Sequence, residues 1–197
     1  MNLLKNRKFA ALIAVVVIIA ATVFGMNRSV TRAVNDIERV FYDGALNAQG
    51  FREPSANAQL DRIAAEALGL ATLLQNRPEL DAYTQAVLVA RRVFMDAQSV
   101  SEKIDAYWGL YMAFVELVHA ADAIDLTERE QDGLEAHVQA FTGAHAILAR
   151  EGQRYNDLVI ELRDDMAIWV RRMIPDRQLR FPKMVIAMDP FLNRGIR

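Results

Sequence analysis

One pair of residues in this sequence has the spacing of a helical metal-ligand motif. Glu116 and His119 lie three positions apart, and on a helix this spacing places a carboxylate and an imidazole on one face. A di-iron bundle needs two such motifs together with two further carboxylates on facing helices. The other histidines, His137 and His145, have no acidic residue three positions before them. We therefore expect no metal, no cofactor and a solvated charged surface at Glu116 and His119.

The residues that could act as nucleophiles are not arranged in the sequence pattern of a catalytic site. No serine lies in a Gly-x-Ser-x-Gly elbow, and no glycine-rich loop for binding phosphate occurs. Cysteine is absent, which excludes an anchor attached through a lipid-modified cysteine. The sequence therefore predicts that the protein is not an enzyme.

His145 is the candidate functional histidine because it lies in an apolar row of a predicted helix. Burial there favours the neutral imidazole and calls for a hydrogen-bond partner. Tyr107 and Tyr111 are candidate partners, since they occupy the apolar row of the preceding helical segment. Two interpretations stay open: a core histidine satisfied by a tyrosine hydroxyl, or a pH-sensing or ligand-binding residue. Trp108, beside both tyrosines, either contacts a protein partner or covers the second helix of the body.

Long helices are the elements that must position these residues. After residue 27, apolar residues recur at alternating steps of four and three, the period of about 3.5 residues that is typical of left-handed helical bundles. No segment alternates with a period of two. The sequence therefore predicts an all-α fold, with a single N-terminal transmembrane helix followed by an antiparallel bundle of long helices. The longest run is Leu134, Val138, Phe141, His145, Leu148, Gly152, Tyr155, Val159, Leu162, Met166, Trp169 and Met173.

Helix boundaries are also marked in the sequence. Residues 50–55 form a predicted turn with Ser55 as an N-cap, and Pro78 suits the first turn of the next helix. Thr127 and Glu130 have the spacing of a capping box. Between residues 97 and 100 the apolar pattern loses one residue, which predicts local overwinding inside one continuous helix.

The short turn at residues 125–127 predicts the register of the two longest helices. Helices joined so closely are neighbours that run in opposite directions, so paired residue numbers sum to about 252. Tyr107 then meets His145, and Phe114 meets Val138. Arg91 approaches Glu161 in the same register.

Residues 9–27 contain no charged side chain and predict a membrane anchor. As a helix this segment is about 28 Å long, close to the roughly 30 Å thickness of the hydrocarbon core of a bilayer. A cleaved signal peptide is the alternative, because Lys5, Arg7 and Lys8 precede the apolar run. The run is longer than the usual ~7–15 residues of a signal peptide, and no Ala-x-Ala triplet closes it. These features favour a retained anchor.

The charges divide the chain into four parts: a basic flank at 1–8, the anchor at 9–27, the bundle at 28–174 and a Pro-containing basic tail at 175–197. Residues 28–170 carry 13 Lys and Arg against 23 Asp and Glu, whereas residues 171–197 carry 7 against 2. The acidic body argues against nucleic-acid binding. The tail either contacts anionic lipid or folds back on the acidic bundle. The positive-inside rule places the N-terminus in the cytoplasm and the bundle on the extracytoplasmic side of the cell membrane.

Several short segments of the predicted helices match one known family. They are Val89-Ala90-Arg91-Arg92, Ser101-Glu102-Lys103 and Arg154-Tyr155-Asn156-Asp157. In these segments, and in the anchor that continues into a helix, the chain resembles the LemA family of membrane-anchored helical proteins. The resemblance implies a bundle on a membrane with no established chemistry.

The resemblance also directs attention to Arg154, Tyr155 and Asn156. Tyr155 lies in the apolar row, so we expect it to be packed with its hydroxyl at the edge. Its two neighbours either order a polar network between helices or recognise a ligand. We expect a single-pass scaffold or protein-interaction module at the bacterial cell envelope, with an unidentified protein partner. The alternative is an extracytoplasmic sensor or ligand-binding bundle.

Overall fold

The computed structural model describes residues 7–46 and 49–165, and this part of the chain is all-helical, as the sequence predicts. The predicted end of the last helix near Pro175 and the tail at 175–197 lie outside the described residues. So do residues 1–6 of the basic flank. The five α-helices are α1 (Arg7–Asp43), α2 (Ala56–Leu74), α3 (Asp81–Asp96), α4 (Val100–Asp122) and α5 (Glu128–Asp165), with a 3-10 turn at Pro78–Leu80 before α3.

A glycine ends α1 and turns the chain toward α2. Gly44 has φ of +80°, a conformation that side chains disfavour, and its N–H donates to the Val40 carbonyl over 3.0 Å. A Cβ at this position would lie 2.1 Å from the Glu53 carbonyl oxygen. The Glu53 N–H donates to the Ala45 carbonyl at 2.8 Å, which closes the loop. Only glycine therefore fits where the two ends of this loop meet.

Two helix starts have the caps that the sequence predicts. The Ala58 N–H donates to the Ser55 hydroxyl over 3.0 Å at the start of α2. Before α5, the Glu130 carboxylate accepts the Thr127 N–H at 2.8 Å, and the Thr127 hydroxyl accepts the Glu130 N–H at 3.4 Å. Both predicted caps are confirmed, including the reciprocal capping box.

The predicted continuous helix through residues 97–100 is wrong, because α3 ends at Asp96 and α4 begins at Val100. A second capping box causes the break. The Ser99 hydroxyl accepts the Glu102 N–H at 3.2 Å, and the Glu102 carboxylate accepts the backbone N–H groups of Gln98 and Ser99. These hydrogen bonds hold the pKa of Glu102 below its usual value. The residue missing from the apolar pattern marks a chain reversal, and α3 packs beside α4.

Helix α2 lies between α3 and α5 and supplies much of the core. Its contacts with α5 occur in opposite sequence order: Glu53 before α2 pairs with Arg154, Glu66 with His137, and Arg77 after α2 with Glu130. The two helices therefore run in opposite directions. The buried face of α2 consists of Ala56, Gln59, Leu60, Ile63, Ala64, Ala67, Leu70, Ala71 and Leu74.

The two halves of α1 have different surroundings. Ile37 and Phe41 are buried in the same core as α2 and α5. Between Ile13 and Phe24 the described apolar side chains are exposed, and this helix is long and apolar enough to cross a membrane. The structure thus contains one candidate membrane span among the described residues.

Candidate functional site

An aromatic layer joins α4 to α5 at the predicted meeting point of Tyr107 and His145. The Tyr107 hydroxyl and His145 Nδ1 are 2.5 Å apart, and both side chains are buried. Burial, with a smaller contribution from Tyr111, raises the pKa of Tyr107 far above its usual value. Tyr107 therefore stays a neutral phenol that can donate its proton to Nδ1. The predicted pairing is confirmed.

Three further rings complete this layer. Tyr111 lies between His145 and Phe141, with ring centroids 5.5 and 6.1 Å away. Phe114 stacks on Phe141 with centroids 3.9 Å apart and planes only 4° from parallel. The predicted partner of Phe114 was Val138, so the observed contact lies one turn farther along α5. Large side chains fill the space between α4 and α5, which leaves the imidazole inside a packed core.

Trp108 occupies an intermediate position. Its ring lies 5.2 Å from the Tyr107 ring and 5.7 Å from the Tyr111 ring, measured between centroids, and the residue is half-buried. It therefore braces the two tyrosines of its own helix. Trp108 is thus not the exposed protein-contact anchor of the first alternative, and its covering of α2 stays a prediction.

The segment at residues 154–156 lies where α1, α2 and α5 converge. Arg154 forms an ion pair with Glu53, the residue whose backbone closes the loop after α1. The Tyr155 ring packs against the Phe41 ring with centroids 5.7 Å apart. Asn156 is buried beside them. These contacts connect three elements that are far apart in the sequence, as an interhelical polar network would.

Tyr155 corrects one prediction. Its hydroxyl oxygen is buried together with its ring, and the whole residue is 1% exposed, whereas the sequence placed the hydroxyl at the edge. The reason is that α1 covers this face of α5, in addition to the contacts of the α4–α5 hairpin. The network at 154–156 is therefore an internal junction.

Arg91 and Glu161 do not meet as the predicted register required. The Arg91 Nε donates to the Ala64 carbonyl of α2 at 3.3 Å, and Glu161 is exposed on α5. No ion pair joins the two among residues 7–46 and 49–165. The reversal at residues 97–99 explains the error, because it turns α3 back beside α4 instead of extending it along α5.

Sequence reasoning missed a second histidine site between α2 and α5. His137 Nδ1 lies 2.9 Å from a carboxylate oxygen of Glu66, and both side chains are largely covered. A Cβ on Gly69 would approach the His137 ring to 2.4 Å, so the glycine makes room for the imidazole. The spacing of Glu66 and Gly69 on one helical face was the available signal. To use this signal, one would have to know that α2, and not the segment before residue 97, packs against α5.

Lys103 is a second missed residue, and it joins four elements. Its Nζ donates to the Asn57 side-chain oxygen at 2.5 Å. The same ammonium lies 5.7 Å from the centroid of the Tyr42 ring and 5.8 Å from that of Phe94. It thus bridges α4, α2, α1 and α3 with one charge. The side chain explains how the start of α4 is held against the end of α1.

The Glu116–His119 pair remains on the surface of α4, and both residues are exposed. In the described part of the chain, no three His, Asp or Glu side chains are grouped closely enough to hold a metal ion. The imidazole of His145 is buried, hydrogen-bonded to the Tyr107 hydroxyl and close to the Tyr111 ring. Its chemistry is that of a hydrogen-bonded aromatic core.

No protein-family model, curated protein or solved structure matches this chain.

Proposed function

We propose that this protein is a single-pass membrane protein whose helical body acts as a non-catalytic scaffold or protein-interaction module at the cell envelope. The exposure of the first half of α1 carries the proposal. Val17, Ile18 and Phe24 are 59%, 64% and 71% exposed, whereas Phe41 of the same helix is 1% exposed. A bilayer accommodates an apolar helix of this length that the protein itself leaves uncovered. The lipid bilayer is therefore the first partner.

The LemA-type interpretation is part of this proposal. In it, α2 to α5 form an antiparallel bundle that projects from the membrane on α1, with the N-terminus in the cytoplasm. The opposite order of the α2–α5 contacts supports such a bundle. The junction of Arg154 and Tyr155 supports a structural use of the residues to which the resemblance points.

The body offers one surface suited to a protein partner. Val89 and Val93 are exposed one turn apart on α3, and Met95 of α3 and Met112 of α4 are also exposed. Exposed apolar side chains grouped on neighbouring helices are typical of protein-contact sites. The sensor alternative instead needs a residue that changes state, and His145 is its candidate. The tight packing of the aromatic layer favours a structural role for that histidine.

Alkaline extraction of membranes tests the anchor. Full-length protein should stay in the membrane pellet in carbonate, while a chain that begins at Arg28 should be released. Charges placed in the span, as in Val16→Glu/Ile19→Lys, should also release the protein. Release of the unaltered full-length protein would contradict the proposal. The matched control is Arg62→Glu/Arg129→Lys, which changes two exposed residues of the body.

Site-specific cross-linking tests the interaction module. A photoreactive residue at Val93 should give one reproducible adduct in membranes, and the same residue at Arg129 on α5 should not. The adduct should decrease when Val89 and Met112 are replaced by Ser. Equal labelling from both positions would contradict a specific contact surface on α3 and α4.

The chain contains no cysteine, so single introduced cysteines can report the orientation. A cysteine at Arg129 should react with a membrane-impermeant maleimide added to intact cells if the body is extracytoplasmic. Reaction only after permeabilisation would reverse the proposed orientation and leave the anchor itself in place.

A further inference from the structure

An open groove lies between the last turns of α3 and the first turns of α4, with a volume of about 740 Å³. On α4 the lining residues run from Glu102 to Gly109, a distance of about 10 Å or two helical turns. Val93 of α3 lines the groove and is 57% exposed. The apolar part of the lining has small or short side chains; it consists of Ala90, Val93, Ala97, Ala106 and Gly109. We refer to it as the α3–α4 groove.

The α3–α4 groove has a negative charge that the described residues do not neutralise. Asp96, Glu102 and Asp105 line it, and no Lys or Arg does in this part of the chain. The Glu102 carboxylate accepts backbone N–H groups of the α4 cap. Asp96 and Asp105 are exposed, and within residues 7–46 and 49–165 neither carboxylate forms an ion pair. An occupant of the groove should therefore be cationic.

The stability of the two helices does not explain two of these residues. Asp96 is the last residue of α3, where the helix dipole disfavours a negative charge. Gly109 is exposed inside α4, where glycine is less favourable than alanine, and a Cβ there would meet nothing within 4 Å. The packing of the described residues therefore does not require a glycine. A position without a side chain lets the backbone of another molecule approach closely.

We infer that the α3–α4 groove binds one helix of a protein partner, in which a row of apolar side chains is flanked by Lys and Arg. The inference rests on the proposed function, because it names the chemistry of the partner of that interaction module. A groove two turns long accepts apolar residues spaced by three, four and seven positions along such a helix. Its cations would then lie near Asp96 and Asp105, which makes the two surfaces complementary in charge.

A second copy of the helical body is a poorer match for this groove. Residues 28–170 carry 13 Lys and Arg against 23 Asp and Glu, so two such bodies repel each other. The same charge disfavours a headgroup of an anionic lipid as the occupant. A cationic helix of a different protein meets neither objection.

Binding of synthetic helices to the full-length protein tests this proposal. The protein is reconstituted in discs of phosphatidylcholine, whose headgroups have no net charge. Fluorescence anisotropy compares three peptides of about 20 residues. The first has a stripe of Leu and Ala flanked by Lys, the second has Glu in place of every Lys, and the third has the composition of the first with its Leu residues scattered around the helix. Only the first should bind saturably, and added salt should weaken it.

Equal binding of the first and third peptides would overturn the proposal, since net charge alone would then account for the interaction. Equal binding of the first and second peptides would also overturn it, because the carboxylates of the groove would then have no effect.

Removal of two carboxylates tests the role of charge. Asp96→Asn/Asp105→Asn should weaken binding of the Lys peptide about two- to thirtyfold, the range expected for the loss of two exposed ion pairs. The matched control is Asp132→Asn/Glu135→Gln, which removes two exposed carboxylates from α5 and should leave the affinity unchanged. The same loss in both variants would mean that the peptide responds to the total charge of the body, and the groove would be refuted.

A side chain at Gly109 tests the role of shape. Gly109→Leu should weaken the Lys peptide about tenfold or more, because the new side chain would fill the space of the bound helix. The matched control is Gly143→Leu, since Gly143 is exposed on α5 and its Cβ also meets nothing within 4 Å. Both variants should melt at or above the temperature of the wild type, because Leu favours a helix over Gly. Unchanged affinity in Gly109→Leu would contradict binding in the groove.

Photo-cross-linking in native membranes identifies the natural occupant. A photoreactive residue at Ala106 should attach to a partner segment that has Lys or Arg beside an apolar helical stripe. An adduct with an acidic segment of a partner would overturn the proposal. So would an adduct with residues 171–197 of the same chain, or one with the mass of two copies.

The failure of this proposal is distinguishable from that of the proposed function. If the photoreactive residue at Val93 gives its adduct in membranes but the peptides do not discriminate charge, the interaction module stands and the cationic helix is refuted. If carbonate releases the full-length protein, the anchor is refuted, while the effects of the Asp96 and Gly109 variants on peptide affinity still decide the use of the groove.

Discussion

Replacement of Tyr107 by phenylalanine gives a direct measure of the bond between α4 and α5. The Tyr107 hydroxyl lies 2.5 Å from His145 Nδ1, and the two residues are 1% and 4% exposed. The substitution removes one oxygen and leaves a ring nitrogen without this donor in a buried site. Loss of one partner from a buried hydrogen bond costs about 1–3 kcal/mol. We expect Tyr107→Phe to lower the free energy of unfolding by that amount.

Denaturant unfolding of the wild type, both single variants and the double variant Tyr107→Phe/His145→Phe separates this bond from general packing. Because the two side chains contact each other, the double variant should lose less stability than the sum of the single losses, with a coupling of about 1–2 kcal/mol. Tyr83→Phe is the control, since Tyr83 is 40% exposed and its change should stay within about 0.5 kcal/mol. Additive losses would refute the argument.

Alkaline pH provides an independent check on the same residue. Burial raises the pKa of Tyr107, so the unfolded chain releases this phenolic proton first as pH passes about 10. The folded state then binds more protons than the unfolded state, and its stability falls as pH rises. The wild type should lose about 1 kcal/mol more than Tyr107→Phe between pH 10 and 11. Equal losses would mean that the native phenol ionises normally.

The pH-sensing interpretation of His145 has its own test. Stability of the wild type and His145→Phe is compared between about pH 5 and 8, the range in which an unperturbed imidazole titrates. The same pH dependence in both proteins would remove the sensor hypothesis. A pH dependence that disappears in the variant would favour it over the purely structural role.

Three other predictions follow from the packing. Hydrogen bonds from Arg77 and Thr127 lower the pKa of Glu130 to about 2. The stability that Glu130 contributes is therefore present above about pH 4.5 and is lost as the pH falls toward 2. Glu130→Gln should flatten this part of an acid titration followed by circular dichroism. Gly143→Ala should stabilise α5 by up to about 1 kcal/mol, because the added Cβ meets open space. Gly69→Ala should destabilise the fold, since its Cβ would displace the His137 ring. Thermal melts that rank the two variants in the opposite order would contradict both predictions. A chain beginning at residue 28 should melt within a few degrees of the full-length protein, because the described apolar side chains that it lacks, such as those of Val17, Ile18 and Phe24, are exposed.

The helical fold could be predicted because its signals are local. The apolar row of α5 and the caps at Ser55 and Thr127 follow from the spacing of neighbouring residues and from single hydrogen bonds. The contact of Tyr107 with His145 was also accessible, since a short connection fixes the register of the residues nearest to it. The register was not uniform along the hairpin, because Phe114, which is nearer to the turn than Tyr107, meets Phe141 instead of Val138.

The helix break at residues 97–99 was the main error, although the sequence contained its cause. Ser99 and Glu102 have the same capping-box spacing as Thr127 and Glu130. A single missing residue in an apolar row is compatible with overwinding or with a chain reversal, and periodicity alone does not separate them. The capping box decides for reversal because it satisfies backbone N–H groups that a continuous helix would already use.

The junction around Arg154 and Lys103 could not be predicted for a different reason. Both side chains reach partners that lie far away in the sequence: Arg154 pairs with Glu53, and Lys103 contacts Asn57. Such contacts depend on which helices become neighbours, and α2 instead of α3 is the main neighbour of α5. Once α2 is known to pack against α5, Gly69 is explained, because a larger residue there would collide with the His137 ring.

The two halves of the continuous helix α1 differ in how their apolar side chains are distributed around the helix axis. Between Ile13 and Phe24 apolar side chains occur on all sides, so no choice of core could bury them together. From Val30 onward they are restricted to one stripe that includes Ile37 and Phe41, which packs against the body. In the proposed membrane arrangement, the unbroken helix would transmit the position of the bilayer surface to the body with little freedom. Any partner of the exposed α3 face would therefore meet that face at a defined height above the membrane.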